Sequence, residues 1–351
     1  MIPVFKIQGH AISPGHPPFV VAEMSGNHNQ SLDRALAIVD AAAEAGAHAL
    51  KIQTYTADTM TLDLRKGEFV IKNKKSLWYG ESLYSLYQKA HTPWRWHKAI
   101  FDRCRKKGLI GFSSPFDATA VDFLETLQVP CYKIASFENI DLPLIRKVAR
   151  TGKPMIISTG MATASEITQA VREARTHGCR DLILLKCTSA YPAPASQSNL
   201  RTLPYLRKRF NCHVGLSDHT LGLDVSLAAV SLGAELIERH FTCSRRERGV
   251  DAAFSLEPHE LKALVQQSRR VWEALGKVYF GPTASEKSSL GFRRSLYVVG
   301  DMRAGDRFSQ ENIRAIRPGM GLPPKYIESF LGKRSKRRVR KGTPVSWSLI
   351  S

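Results

Sequence analysis

Cysteine is scarce in this 351-residue chain, and what there is shows no pairing pattern. The six residues Cys104, Cys131, Cys179, Cys187, Cys212 and Cys243 form no CxxC motif. A chain of this size has no need of disulfide staples, so reduced thiols and a cytoplasmic setting are expected. Long apolar runs are absent too. None approaches the roughly 20 residues of a membrane span, which excludes an integral helical membrane protein. The opening MIPVFKIQGHAISPGH lacks the charged, apolar and small-residue zones of a secretory leader. No GxGxxG follows the first apolar run, and no P-loop occurs, so a dinucleotide or nucleotide fold has no support. There are no internal repeats beyond an alternation of short strands and helices, and no low-complexity tract.

Acidic residues are also in short supply, 31 against 51 basic ones, for a formal charge of +20. Fifteen basic and five acidic residues fall in 285–351. The densest run is Lys333–Lys341, KRSKRRVRK. Such charge attracts nucleic acid, acidic surfaces or small anionic substrates. A nucleic-acid or polysaccharide binding protein would interleave aromatics with the basic residues. That tract has none, so it reads as a solvated face.

What the chain does have is rhythm. Short apolar runs ending in polar clusters alternate with amphipathic stretches. Strands are predicted at Phe19–Glu23, Ala47–Gln53, Leu109–Ser113, Cys131–Ala135, Met155–Ser158, Leu182–Cys187, His213–Leu216 and Glu235–Glu238. Helices follow them, among them Pro93–Lys107, with Pro93 in its first turn, and Pro258–Leu275. Eight strand–helix units in about 260 residues predict an α/β fold, a closed (β/α)8 TIM barrel. An open doubly wound sheet is the alternative. A long polar and aromatic insertion, Thr54–Ala90, interrupts the rhythm. After Gly281 the pattern turns to short strands and turns, including Arg294–Val299, Ile313–Ile316 and a strand near Thr343–Trp347. The expected domains are a barrel over 1–280, a linker at 281–288 and a small β-rich domain over 289–351.

In such barrels the reactive groups lie where strands run into the loops that follow. Val214–Leu216 and Leu236–Ile237 end in Ser217-Asp218-His219 and Glu238-Arg239-His240. Neighbouring parallel strands would bring the two imidazoles together, as a metal ion requires, with the acidic neighbours orienting the rings. The alternative is two histidines that merely cap their strands. The other strand ends supply Glu23, Lys51, Gln53, Ser114, Lys133, Ser136, Glu138, Ser158, Ser189 and Tyr191, with Asp251 in the last loop. Two lysines inside a barrel are costly unless they meet anions. Five serines at equivalent ends can donate to phosphate oxygens. The set suits a phosphorylated, carboxylated substrate. An imine on Lys51 or Lys133 is the weaker alternative.

The segments AEMSGNHNQSLDRAL, KIQTYTADTMTLD, TPWRWH, FSSPFD, YKIASFEN, STGMA, KCTSAYPA, VGLSDHT and ERHFT together resemble the sialic acid synthase family. RRSLYVV, AGD and NIRAIRPGMGL resemble its C-terminal antifreeze-like (SAF) domain. KIQTYTADTMTLD, SLWYGESLYSLY, TPWRWH and FRRSLYVV look most like the pseudaminate-forming branch.

The resemblance implies condensation of phosphoenolpyruvate with an amino sugar, releasing phosphate by C–O cleavage, with a divalent Mn2+, Mg2+ or Co2+ ion. For that branch the sugar is 2,4-diacetamido-2,4,6-trideoxy-L-altrose. N-acetylneuraminate and legionaminate formation are the near alternatives. It implies that His219 and His240 hold the metal and that Glu23 handles the attacking water. Lys51, Ser114, Lys133, Ser136, Ser158, Ser189 and Ser217 would hold phosphoenolpyruvate. Gln53, Glu138, Tyr191 and Asp251 would face the sugar. Arg317 would reach the sugar from the partner in a domain-swapped homodimer. Ser189 stands where the family usually has Asn, and Ser114 where it has Thr.

Overall fold

The computed structural model describes residues 2–350. The chain divides into two compact units, one running to Gly276 and one beginning at Lys277. The first is a closed parallel barrel. It is preceded by a hairpin of β1 (Phe5–Ile7) and β2 (His10–Ile12). The barrel strands are β3 (Phe19–Glu23), β4 (Ala49–Thr54), β5 (Ile110–Pro115), β6 (Tyr132–Ile134), β7 (Met155–Ser158), β8 (Leu182–Cys187), β9 (His213–Asp218) and β10 (Leu236–His240). β10 pairs with β3 and closes the ring.

Side-chain parity explains the interior. Successive residues of a strand face opposite sides. Val20, Ala22, Leu50, Ile52, Ile134, Ile157, Leu184, Leu216 and Ile237 turn outward to the helices and form the larger buried core. The inward series starts apolar on each strand: Phe19 and Val21, Ala49, Ile110 and Phe112, Ile156, Ile183 and Leu185, Leu236. Phe5, Ile7 and Ile12 of the hairpin join that inner cluster. One step further along the same faces the series becomes polar: Glu23, Lys51, Ser114, Lys133, Ser158, Ser217 and Glu238, all buried. The barrel therefore has an apolar floor and a polar top.

Gly215 sits where the floor is tightest. A Cβ there would meet Leu185 Cδ2 at 2.7 Å and would crowd the carbonyl oxygen of Leu236 still more closely. Gly215→Ala is expected to cost about 1–3 kcal/mol through overpacking, read as a lowered melting temperature. An unchanged melting temperature would show that the floor yields.

Side-chain caps mark several of the helix starts. Ser31 accepts from the Arg34 N–H at the start of α1 (Leu32–Glu44). A short α2 (Ala57–Met60) and α3 (Leu83–Ala90) occupy the insertion, and α4 (Trp94–Lys106) follows. Pro93 is the N-cap of α4 and not part of its first turn, because the turn opens one residue later than its spacing predicts. α5 (Ala118–Thr126), α6 (Leu142–Ala149), α7 (Ala164–Thr176), α8 (Thr202–Phe210) and α9 (Asp224–Ser231) alternate with the strands, and α10 (Pro258–Leu275) ends the unit.

The second unit pairs β11 (Ser295–Val298) with β12 (Ile313–Ile316) over its own core of Leu296, Val298, Phe308, Ile313 and Phe330. The strand expected near Thr343–Trp347 does not form. Pro344 makes one isolated bridge to Tyr297, and a 3-10 turn covers Trp347–Leu349. Proline offers no N–H to extend a ladder. The described cysteines are all free. Among the described residues no helix is long and apolar enough to cross a membrane.

Candidate active site

A cavity of about 620 Å³ opens at the carboxyl ends of the strands. Four buried charges lie at its floor and just behind it. Lys51 Nζ lies 2.5 Å from Glu23 Oε2 and 3.9 Å from Glu238 Oε2, and Lys133 Nζ lies 3.5 Å from Glu238 Oε1. Each is nearly inaccessible to solvent. Two cations and two carboxylates together are neutral, which is what permits their burial. Ser217 Oγ donates to Glu238 Oε1 at 3.0 Å, and Lys51 also reaches Ser114 Oγ at 3.2 Å. Gln53 Nε2 bridges Glu23 Oε1 and Ser25 Oγ, both at 3.1 Å.

The charges respond to these neighbours. Burial lifts the Glu23 carboxyl above its usual range, and the adjacent Glu238 adds to this against the pull of Lys51. Burial would also raise Glu238, but Lys133 and Lys51 outweigh it and hold that carboxyl low. Burial depresses Lys133 despite Glu238.

Above this floor stand the two imidazoles. β9 and β10 run in register, Ser217 beside Glu238, and inward parity continues to His219 and His240. The ring centroids are 5.2 Å apart. His219 Nδ1 meets the Thr188 carbonyl at 3.1 Å, which places a hydrogen on Nδ1 and leaves Nε2 as the nitrogen a ligand can meet; burial alone would lower this imidazole, but Cys187 and the carbonyl outweigh it and raise it. Among the described residues Nδ1 of His240 is buried without a hydrogen-bond partner, 3.7 Å from Asp251 Oδ2. Burial first, then the facing His219, keeps His240 well below the usual imidazole range, so it is neutral. Two close rings, one of them with an unsatisfied nitrogen, and a nearby carboxylate fit a divalent ion.

The expected orienting role of the acidic neighbours is not what is found. Asp218 faces the opposite side of β9. It pairs with Arg239 at 2.7 Å and accepts from Thr220 and Ser226. The pair is a buried link between barrel and helices. A carbonyl, not a carboxylate, orients His219.

The anion side is equally incomplete without a ligand. Ser158 Oγ is buried with no partner. Ser136 Oγ accepts from the Gly160 N–H at 3.2 Å. A Cβ on Gly160 would collide with the hydroxyls of both Ser189 and Ser136. Glycine there keeps a hollow between two serines. Glu138 Oε2 is unpartnered, and burial lifts this carboxyl to about 7. Tyr191 leans on His219, ring centroids 4.6 Å apart.

Of the residues expected at the site, Lys51, Gln53, Lys133, Ser136, Glu138, Ser158, Tyr191, Ser217, His219, His240 and Asp251 line the cavity. Glu23 and Ser114 sit just behind it on Lys51, and Ser189 beside Ser136. Arg317 is exposed in the loop after β12, within the second unit. Sequence reasoning passed over Glu238 as the hub of the lysines, although its parity with His240 was readable. It also passed over Cys187. That thiol lies 3.8 Å from His219 Nδ1, and although burial alone would raise it, His219 draws it down to about 7. A separate acidic group, Glu257 and Glu260 with His259, is the capping box of α10, tied by Arg245.

Fold and site together define a barrel protein with buried charge at its strand ends and a second, C-terminal unit. Residues 38–279 match the NeuB family and residues 293–351 the SAF domain, and the chain belongs to the NeuB family. It is 42% identical over 332 residues to the pseudaminic acid synthase of Helicobacter pylori, covering 94% of this chain and 97% of that one. Against the pseudaminic acid synthase of Campylobacter jejuni serotype O:23/36 it is 41% identical over 330 residues, 94% and 96% of the two chains. The crystal structure of an N-acetylneuraminic acid synthetase from Leptospira borgpetersenii, in complex with citrate, superposes with a TM-score of 0.73. It is 33% identical and covers 83% of this chain and 96% of that one.

Proposed function

We propose that this chain is a pseudaminic acid synthase. It joins carbon 3 of phosphoenolpyruvate to the aldehyde of 2,4-diacetamido-2,4,6-trideoxy-L-altrose, adds water at carbon 2, and releases phosphate with its bridging oxygen. The observation that carries the reading is the layering of the cavity. A pair of imidazoles 5.2 Å apart stands over two buried lysines. The likeness to two pseudaminic acid synthases supplies the particular sugar.

Lys51 and Lys133, with Ser114, Ser136, Ser158, Ser189 and Ser217, hold the carboxylate and phosphate of phosphoenolpyruvate. Unpartnered Ser158 and the hollow at Gly160 are where phosphate oxygens find donors. Glu23, its carboxyl raised by burial, orients the attacking water and takes its proton, with Gln53 fixing its second oxygen. Its charge also faces the carbon that becomes electron-poor when the new C–C bond forms. Glu138, Tyr191, Gln53 and Asp251 receive the sugar's hydroxyls and amides. His219 and His240 would hold a divalent ion, which would supply Lewis acidity toward the aldehyde. Arg317 acts from the SAF domain of a second copy in a domain-swapped homodimer.

Purified protein is expected to release phosphate from phosphoenolpyruvate only with the diacetamido-trideoxy-altrose present. EDTA should stop the release and added Mn2+ restore it. Phosphoenolpyruvate carrying 18O at the bridge should pass the label to phosphate. Turnover of N-acetylmannosamine instead would move the protein to the sialate branch. No release with either sugar would reject the reading.

A further inference from the structure

The connection between β4 and α4 closes on itself before it meets the cavity. Val70 and Ser82 form a bridge, Ile71 N–H donates to Glu81 at 2.9 Å, and Gly80 N–H donates back to Ile71 at 2.9 Å. The loop so tied presents Lys72, Lys74 and Lys75 to solvent and Ile71 and Trp78 to the cavity, where Leu83 and Leu86 of α3 join them. Trp78 is fixed from outside its own loop. Its indole N–H donates to the Val250 carbonyl at 3.1 Å, and its ring lies 5.9 Å from Tyr191, which touches His219. One aromatic ring therefore separates the indole from the imidazole pair.

This wall differs in kind from the rest of the cavity. Beside the imidazoles the lining includes the Asp251 carboxylate and Tyr191, with Ser217 two residues before His219 on the same face. Around Trp78 it is aliphatic and aromatic, with Asn73 and Ser76 as its polar members. A ligand whose reactive end lies at the imidazoles meets a mostly apolar, half-buried wall at its far end. A methyl group there loses nothing on burial. A hydroxymethyl group gives up part of its water against Ile71, Trp78 and Leu83, whose side chains offer it no free partner.

We infer that Trp78, with Ile71 and Leu83, is a specificity-determining residue that selects acceptor sugars ending in a deoxy, methyl-terminated carbon over those ending in hydroxymethyl. The inference rests on the proposed condensation, and names which part of the acceptor the insertion reads. An apolar wall rejects an added hydroxyl by roughly a hundredfold at most. The discrimination sought is therefore moderate.

The test compares kcat/KM for 2,4-diacetamido-2,4,6-trideoxy-L-altrose with that of its 6-hydroxy counterpart, in full-length wild type and in Trp78→Ala. Wild type should prefer the deoxy sugar by roughly 10- to 100-fold. Trp78→Ala should shrink that ratio by about tenfold, mainly through the sugar KM, while the phosphoenolpyruvate KM holds. An unchanged ratio overturns the inference. So does a loss shared equally by the phosphoenolpyruvate KM, which marks collapse of the whole site. Should Trp78→Ala not fold, Leu83→Asn serves, since it adds an amide to the wall and should raise relative turnover of the 6-hydroxy sugar. An unchanged ratio there also overturns it. If wild type condenses a different sugar, the proposed function fails separately. The wall is then judged on the deoxy and hydroxy forms of that sugar.

Discussion

His240→Ala is expected to lower kcat at least 10²- to 10³-fold, about 3–4 kcal/mol of barrier. His219→Ala should match it. Each change removes one of two rings that face each other at 5.2 Å, and among the described residues no third histidine lines the cavity to replace it. The effect on stability should be small for His240, because its Nδ1 has no hydrogen-bond partner to strand. His219→Ala releases the Thr188 carbonyl and should cost about 1 kcal/mol. Metal content after dialysis against Mn2+ gives an independent readout: each variant should retain much less than wild type. Activity within tenfold of wild type in both variants would remove the imidazole pair from the chemistry.

Lys51→Met is expected to act on stability and binding at once. Lys51 neutralises Glu23 at 2.5 Å and also approaches Glu238, all three buried. Taking away one partner of a buried pair leaves an uncompensated charge, at a cost of about 3–5 kcal/mol. The pH dependence has a definite sign. Glu23 already has its carboxyl raised by burial, and losing Lys51 raises it further. A carboxyl raised in the folded state takes up its proton there before the unfolded chain does. The deficit of Lys51→Met should therefore be largest at neutral pH and shrink as pH falls through that raised value. Combining it with Glu23→Gln should recover much of the stability and none of the activity, and the apparent KM for phosphoenolpyruvate should stay raised. A thermal-melt series across pH with a constant deficit would mean that the tetrad is not coupled as its distances indicate.

Much of this was readable in the chain, and the misses have one physical root. Phe19–Glu23, Met155–Ser158 and Leu182–Cys187 were found to the residue because each is an apolar run ending in a polar cluster. His219 and His240 were placed together because parallel neighbours end side by side. The error was to treat adjacency in sequence as adjacency in space. Asp218 touches His219 along the chain, yet on a strand it must face the other way, and there it meets Arg239. Glu238, two positions from His240, shares its face and turned out to organise the lysines. The opposite limit applies to β1 and β2. Three residues apiece are too short to show any period, and only the barrel floor they join makes them strands. Trp78 was noticed as part of an aromatic insertion, but its bond to Val250 joins positions 172 residues apart. No local pattern carries that.

The hairpin at residues 5–12 also bears on traffic. Because Phe5, Ile7 and Ile12 seal the amino-terminal end with the floor residues, the cavity is a cul-de-sac. Lysines and serines lie at its blind end, and Tyr191 and Trp78 belong to loops nearer the entrance. Whatever binds the lysines must arrive before anything resting against the aromatics, and must wait behind it to leave. Order of entry and exit is thus written into a dead end.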